Sequence, residues 1–497
     1  MSNFYNWKNS LLIYLDIRVI RLLILGFSSG LPILLIFSTL SLWLKSAGID
    51  RSTITLFSWA GLAYSFKFLW APVIDKLPII ILTNKFGHRK SWLIFSQLML
   101  IILLIGLGFV DPKYNLLTMA IIVVCVGFCS ATQDAMVDTY RIESAPPELQ
   151  SAMSGVYVVG YRLGMIVAGA GSLFLASFFG GDEQSYNENA WQKTYMIMAI
   201  LQSVGLICVL MSPEPISKRI LLDNFKERLK LINIFFVSIL IFVLIYNFFP
   251  TIVFHDPFFK GIFSALKLLI ALSGMIMVFV FSTKLKYVKS YVVLSTFWDP
   301  IGSFVKKYGS MAIVILVIIG LYRIADIVMG VVANLFYSDM GYTLNQIATI
   351  SKLWGLIATI FGGLLGGVLA SRYNNYFILL IGAILASATN ILFAILSSLE
   401  PELVYLMIVI ISDNIASGMA SVAFVAFLSS LTNVNFTTSQ FALFTSLMLF
   451  LPKIIGGYSG SIVDNFGYFN FFFITAVLGL PVIILIIAFK NKLYNNL

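Results

Sequence analysis

Apolar runs of about twenty residues, each long enough to cross a bilayer, recur along the whole chain and dictate its fold class. In lipid every backbone N–H and C=O has to be satisfied within the segment, so such runs become helices. They lie near 21–44, 53–75, 91–109, 115–140, 151–178 and 193–212, then 231–254 and 261–283, then 309–336, 344–370, 376–397, 403–430, 438–463 and 468–489. The expected architecture is an all-α polytopic membrane protein of about fourteen helices, six, two and six. The expected units are a six-helix half over 1–212, linker segments with two extra helices over 213–308, and a second half over 309–497. Composition agrees: the 497 residues are 60% hydrophobic and 11% charged, which leaves too little polar surface to cover a soluble domain.

The formal net charge of +10 raises the question of nucleic acid, but the basic residues sit in short loops between apolar runs. One alternate set of loops holds about 21 Lys and Arg and the other about 5, the asymmetry that fixes membrane topology, so both termini are expected in the cytoplasm. No removable signal peptide is expected in residues 1–20. Cys125, Cys129 and Cys208 lie in apolar runs and imply no disulfide framework. His88 and His255 are the two histidines, and no Cys/His spacing suits zinc. Neither a cofactor nor a metal is expected, and no Gly-x-x-x-x-Gly-Lys-Ser/Thr loop provides a nucleotide motor.

Charges inside the spans carry the functional signal, because each costs about 2.5–3.5 kcal/mol on insertion scales. The stretch from Ser130 to Glu143 ends the fourth span and places Asp134, Asp138 and Arg141 on one helical stripe. Proton coupling requires a carboxylate in a dry site, and Asp134 is the first candidate, with Asp326 the second and Asp413 weaker. Asp326 lies three residues from Arg323, so a static pair is the competing reading. Asp138 with Arg141 reads as a gate latch or a helix-end pair. Lys67, Arg162, Lys352 and Lys453 exceed the nearby acids, which suits an anionic substrate. Lys352, close to a helix end, also suits snorkelling to the headgroups. Arg162, flanked on both sides by apolar and small residues, is too deep for that.

The loop after the second span carries Asp75-Lys76 and then Gly87-His88-Arg89-Lys90. The corresponding place in the second half reads Gly366-Gly367-Val368-Leu369-Ala370-Ser371-Arg372, with Ser371 where the acid would be. Both resemble the glycine–acid–basic signature of major facilitator transporters, and Asp75 and Arg89 join Asp138 and Arg141 as expected gating residues.

Further stretches resemble the AmpG family of muropeptide permeases within that superfamily. They are Ser29-Gly30-Leu31-Pro32, the run from Gly61 to Asp75, Ser130 to Asp138, Gly418 to Phe427, and Ser439-Gln440-Phe441-Ala442-Leu443. The resemblance implies a proton-driven, monomeric inner-membrane importer carrying anionic anhydro-muropeptides, small-molecule products of cell-wall turnover, from periplasm to cytoplasm. It places Gly30, Ala131 and Gln133 among the substrate-binding residues beside Arg162 and Lys67. Lys453 stands where the family has an arginine, and lysine cannot reproduce a bidentate fork. An acetyl-CoA-type transporter has a similar Gln-Asp stretch and remains an alternative, as does a non-transporting sensor. No His-Glu-x-x-His motif and no nucleophile–base pair supports an enzyme.

Overall fold

The computed structural model describes residues 12–490 apart from 51–52, 55–56, 182–185, 217–220, 223, 251–256, 374 and 457. His255 and the side chains of Lys352 and Ser371 lie outside the described residues. The described elements are all helical. In the first half these include α1 (Ile17–Ile36), α2 (His88–Gly108), α3 (Leu116–Ser144), α4 (Pro147–Ile166) and α5 (Glu188–Met211). α6 (Phe225–Phe248) and α7 (Pro257–Lys284) form the linker pair. The second half contains α8 (Met311–Leu321), α9 (Ile324–Asp339), α10 (Gly355–Arg372), α11 (Asn375–Leu396), α12 (Leu403–Leu431), α13 (Thr437–Gly456) and α14 (Ser459–Leu478).

Local chemistry sets the boundaries that matter for the site. Asp16 caps α1, its carboxylate accepting from the Arg18 N–H at 2.8 Å, which satisfies a donor the first turn cannot. Gly87 turns the chain at φ 87°, a region that favours glycine. At the start of α2 the Glu214 carboxylate accepts from the N–H groups of Arg89 at 2.9 Å and Lys90 at 3.0 Å. An anion there satisfies free donors and complements the helix dipole. α3 stops at an extended Ala145, and α4 starts at Pro147, where a proline N–H is not needed.

Twelve helices among the described residues are long and apolar enough to cross a membrane. Two of the spans expected from sequence fall outside that set. The run near 53–75 is not one helix but short pieces: Phe57–Gly61, Leu62–Phe66, Lys67–Leu69 and Ala71–Lys76. Pro72 lies in the first turn of the last of these, where its missing N–H cannot continue the ladder from the preceding piece. The run near 438–463 is helical as α13 but carries Pro452 and Lys453 towards its end.

Irregular backbone coincides with the buried cations. Lys67 sits at the junction between two short pieces, and Arg323 is the non-helical residue (φ −99°, ψ 9°) separating α8 from α9. Unsatisfied backbone at membrane depth is tolerated where it lines a polar cavity rather than lipid.

Glycines bring α1 and α4 into backbone contact. A Cβ at Gly30 would collide with the Tyr161 carbonyl, and one at Gly164 with the Phe27 carbonyl. Small residues on both faces allow this approach, which holds Tyr157 and Tyr161 beside the interior of the bundle. α6 packs on α7, and Phe236 and Ile276 of this pair are 64% and 63% exposed, so the outer face of the linker is built for lipid.

Candidate functional site: a positively charged central cavity

A cavity of about 700 Å³ lies between the two halves, with Lys67, Asp134, Asp138, Tyr157, Arg162, Arg323 and Lys453 among its lining residues. On its wall the Lys67 ammonium stands 2.6 Å from Asp134 Oδ2. The Tyr157 hydroxyl donates to the other oxygen, Oδ1, at 2.7 Å. Asp134 is therefore held from two sides, by charge from the broken second span and by a hydroxyl from α4. On the neighbouring turn, Tyr64 and Ser130 share a hydrogen bond of 2.7 Å, and Trp70 Nε1 donates to Thr132 Oγ1 at 3.1 Å. Those contacts fix the irregular span to α3.

The remaining cations differ in their partners. Arg323 pairs with Asp326 and also donates to Ser421, and Ser417 donates to Asp326 at 3.2 Å. Arg162 has no carboxylate in ion-pair range among the described residues, and the contact of its guanidinium is with Met165 Sδ at 3.7 Å. Lys453 donates to the Ser65 hydroxyl at 2.7 Å, a neutral partner that leaves its charge uncompensated. The wall thus has four cationic side chains against two carboxylates, an excess that a low-dielectric surrounding focuses into the cavity.

Towards the end of the bundle where α3 stops, the expected gating residues meet in one cluster. Arg89 contacts Asp75 at 2.7 Å and Glu143 at 2.7 Å, and all three side chains are buried. The cluster reaches into the other half: Arg89 donates to Thr438 Oγ1 at 3.0 Å, and the N–H and hydroxyl of Ser439 donate to Asp75 at 2.8 and 2.5 Å. Nearby, Arg141 contacts Asp138 at 3.3 Å and donates to Ser154 and, across the halves, to Ser429 at 2.9 Å each. Asp138 therefore both contacts Arg141 and lines the cavity.

Three expected substrate residues lie elsewhere. Gln133 is fully buried, donating to Ser28 at 3.1 Å and accepting from Gln202 at 3.0 Å, so it ties α1, α3 and α5 together. Ala131 is fully buried, and Gly30 packs on Tyr161; neither is among the cavity-lining residues. Asp326 stands behind Arg323. Tyr157 and Glu143 were missing from the expected set. Tyr157 is one helical turn from Tyr161, a spacing visible in the sequence, and their ring centroids lie 6.0 Å apart. The Glu143 side chain is buried by Arg89, a partner 54 residues away that no local pattern reveals.

Residues 22–338 match the model of the Major Facilitator Superfamily. The putative transporter AmpG 4 of Rickettsia conorii is 31% identical over 97% of this chain and 98% of its own length. The chain belongs to the AmpG branch of the superfamily. The anhydromuropeptide permease of Escherichia coli K12 is 29% identical over 95% of this chain and 79% of its own. Among solved structures, the proton:xylose symporter XylE matches with a TM-score of 0.60 over 98% of this chain and 96% of its own, at 13% identity. FucP matches with 0.59 over 95% and 98%, at 11% identity. These two likenesses show the fold, and the family match makes the chain a multi-pass membrane transporter of that superfamily.

Proposed function

We propose that the protein is an inner-membrane, proton-coupled importer of anionic anhydro-muropeptides, working from periplasm to cytoplasm with both termini cytoplasmic. The observation that carries this reading is the uncompensated positive charge of the central cavity at Arg162 and Lys453. A muropeptide brings carboxylates to meet it, and the kinship with the E. coli anhydromuropeptide permease selects that class of anion. Residues 1–212 and 309–497 act as the rocking halves, and 213–308 joins them.

Coupling follows from the Lys67–Asp134 pair. While Asp134 is ionised, its carboxylate holds the Lys67 ammonium. A proton on Asp134 removes that attraction and leaves Lys67 as a third free cation for the substrate anion, so proton and substrate load together. After release on the other side, Lys67 returns to Asp134 and favours loss of the proton. The Asp75–Arg89–Glu143 cluster with Thr438 and Ser439 closes the cytoplasmic side and has to separate for release. Alternating access by rocking of two halves about a midplane site is the general mode of such folds.

The test is uptake of labelled GlcNAc–anhydro-MurNAc-peptide into vesicles holding the purified protein, with and without an imposed proton gradient, with acetyl-CoA as competitor. Gradient-dependent accumulation insensitive to acetyl-CoA is expected. Acetyl-CoA transport in place of muropeptide would overturn the substrate assignment, and accumulation unaffected by the gradient would overturn the coupling.

A further inference from the structure

Between α7, which ends at Lys284, and α8, which begins at Met311, the chain does not run as a plain loop. Residues 290–308 are helical throughout, in three consecutive pieces, Ser290–Val293, Leu294–Trp298 and Asp299–Tyr308. Val292, Thr296, Pro300, Phe304 and Tyr308, spaced by four, are buried against the protein. Tyr291, Leu294, Trp298, Ile301 and Val305, spaced by three and four, are all exposed, Trp298 by 66%. That spacing makes one continuous apolar stripe along a helix, and the exposed Asp299 and Lys306 lie off it.

The buried face sets the height of this stretch in the bilayer. Phe297 meets Phe279 of α7, with ring centroids 4.4 Å apart, and Phe304 meets Phe444 of α13 at 5.1 Å. Phe279 lies five residues before the end of α7 and Phe444 seven residues after the start of α13, so the contacts fall roughly 7–10 Å inside the ends of those helices. Gln440 of α13 adds hydrogen bonds to the Pro300 carbonyl at 2.7 Å and to Ser303 Oγ at 3.1 Å. Gln440 follows Ser439, the residue that holds Asp75, which places the stretch on the Asp75 side. Five residues tether it to α7 and two to α8, and both of these belong to helices long and apolar enough to cross a membrane.

Height and charge together select what covers the exposed stripe. A stripe set inside the ends of membrane-crossing helices meets lipid before it can meet a soluble protein. From 284 to 308 the chain carries five lysines, Lys284, Lys286, Lys289, Lys306 and Lys307, against one carboxylate, Asp299. All five are exposed, and among the described residues none is in an ion pair. An apolar stripe with basic residues beside it is the chemistry of a helix lying in the headgroup layer of an anionic leaflet, and Tyr291 and Trp298 suit that layer.

We propose that residues 290–308 form an interfacial helix that binds the anionic lipid surface on the Asp75 side, the cytoplasmic leaflet in the orientation given above. The stripe from Tyr291 to Val305 enters the first acyl carbons, and the lysines meet headgroup phosphates. The linker then does more than join the halves. Through Gln440 it anchors to the leaflet the end of α13 that closes against Asp75. This lipid contact is independent of the substrate and coupling assignments.

The test uses the full-length protein with Cys125, Cys129 and Cys208 replaced by Ala, reconstituted into phosphatidylcholine vesicles. A bimane label is placed at Ile301→Cys on the stripe or at Asp299→Cys, about 200° round the helix from it. Phosphatidylcholine with a nitroxide near the head of its acyl chain is expected to quench the first label roughly three-fold more than the second. At equal mole fraction, nitroxide-labelled phosphatidylglycerol is expected to quench the Ile301→Cys label roughly twice as strongly as the phosphatidylcholine, and Lys289→Gln/Lys306→Gln/Lys307→Gln to remove that difference. All the substituted side chains are exposed, so the packed face stays intact. Equal quenching at the two positions, or a stripe label shielded from lipid by a second copy of the chain, would overturn the placement. Equal quenching by the two lipids with all lysines present, or an undiminished difference in the triple variant, would overturn the anionic preference.

Discussion

Lys67 Nζ lies 2.6 Å from Asp134 Oδ2, and the two side chains are 5% and 15% exposed. They come from different spans, 67 positions apart, and the pair stands on the wall of a cavity of about 700 Å³. Removing one member of a buried pair strands the other charge, at a cost of about 3–5 kcal/mol, whereas removing both is often close to neutral.

Asp134→Asn is therefore expected to abolish gradient-driven accumulation and to lower stability by about 3 kcal/mol, with the double variant Lys67→Gln/Asp134→Asn recovering most of the stability but not the coupling. Thermal unfolding and vesicle uptake measured on the two variants check this. Accumulation by Asp134→Asn at the wild-type level would assign coupling elsewhere.

Arg162 meets no carboxylate among the described residues, so its charge is available to substrate. Arg162→Gln is expected to raise the apparent KM about tenfold, equivalent to about 1.4 kcal/mol, and Arg162→Lys less. Substrate-concentration series for the two variants distinguish charge from shape, since lysine keeps the charge and loses the fork.

The Asp75 carboxylate joins the halves through Ser439 and Arg89. Asp75→Asn leaves Arg89 with fewer anionic partners and weakens the closure. In a background with Cys125, Cys129 and Cys208 replaced by Ala, a cysteine introduced by Thr445→Cys on the cavity wall is expected to react several-fold faster with an impermeant maleimide applied from the Asp75 side. An unchanged rate would show that this cluster does not hold the closed state.

Gly30 faces the Tyr161 carbonyl with no room for a Cβ. Gly30→Ala is expected to cost about 1–3 kcal/mol by forcing α1 from α4 and, by displacing Tyr157, to slow transport as well. A thermal shift with full transport would separate packing from the site. Gln133→Ala is expected to act in the same way, through the Ser28–Gln133–Gln202 network rather than through substrate contact.

The all-helical class, most of the spans and the positions of the intramembrane charges follow from the sequence, because lipid forces apolar runs into helices and makes each internal charge expensive. The spacing of Asp134, Asp138 and Arg141 on one stripe is local geometry, legible in the same way. Pairing across spans is not local. Only the tertiary structure decided that Lys67 belongs to Asp134, that Glu143 completes the Asp75–Arg89 cluster, and that Thr438 and Ser439 of the other half close it. It also decided that Gln133, polar and adjacent to Asp134, turns away from the cavity into helix packing. Neighbouring residues on a helix point about 100° apart, and which of two polar neighbours meets the cavity depends on how the whole bundle is rotated.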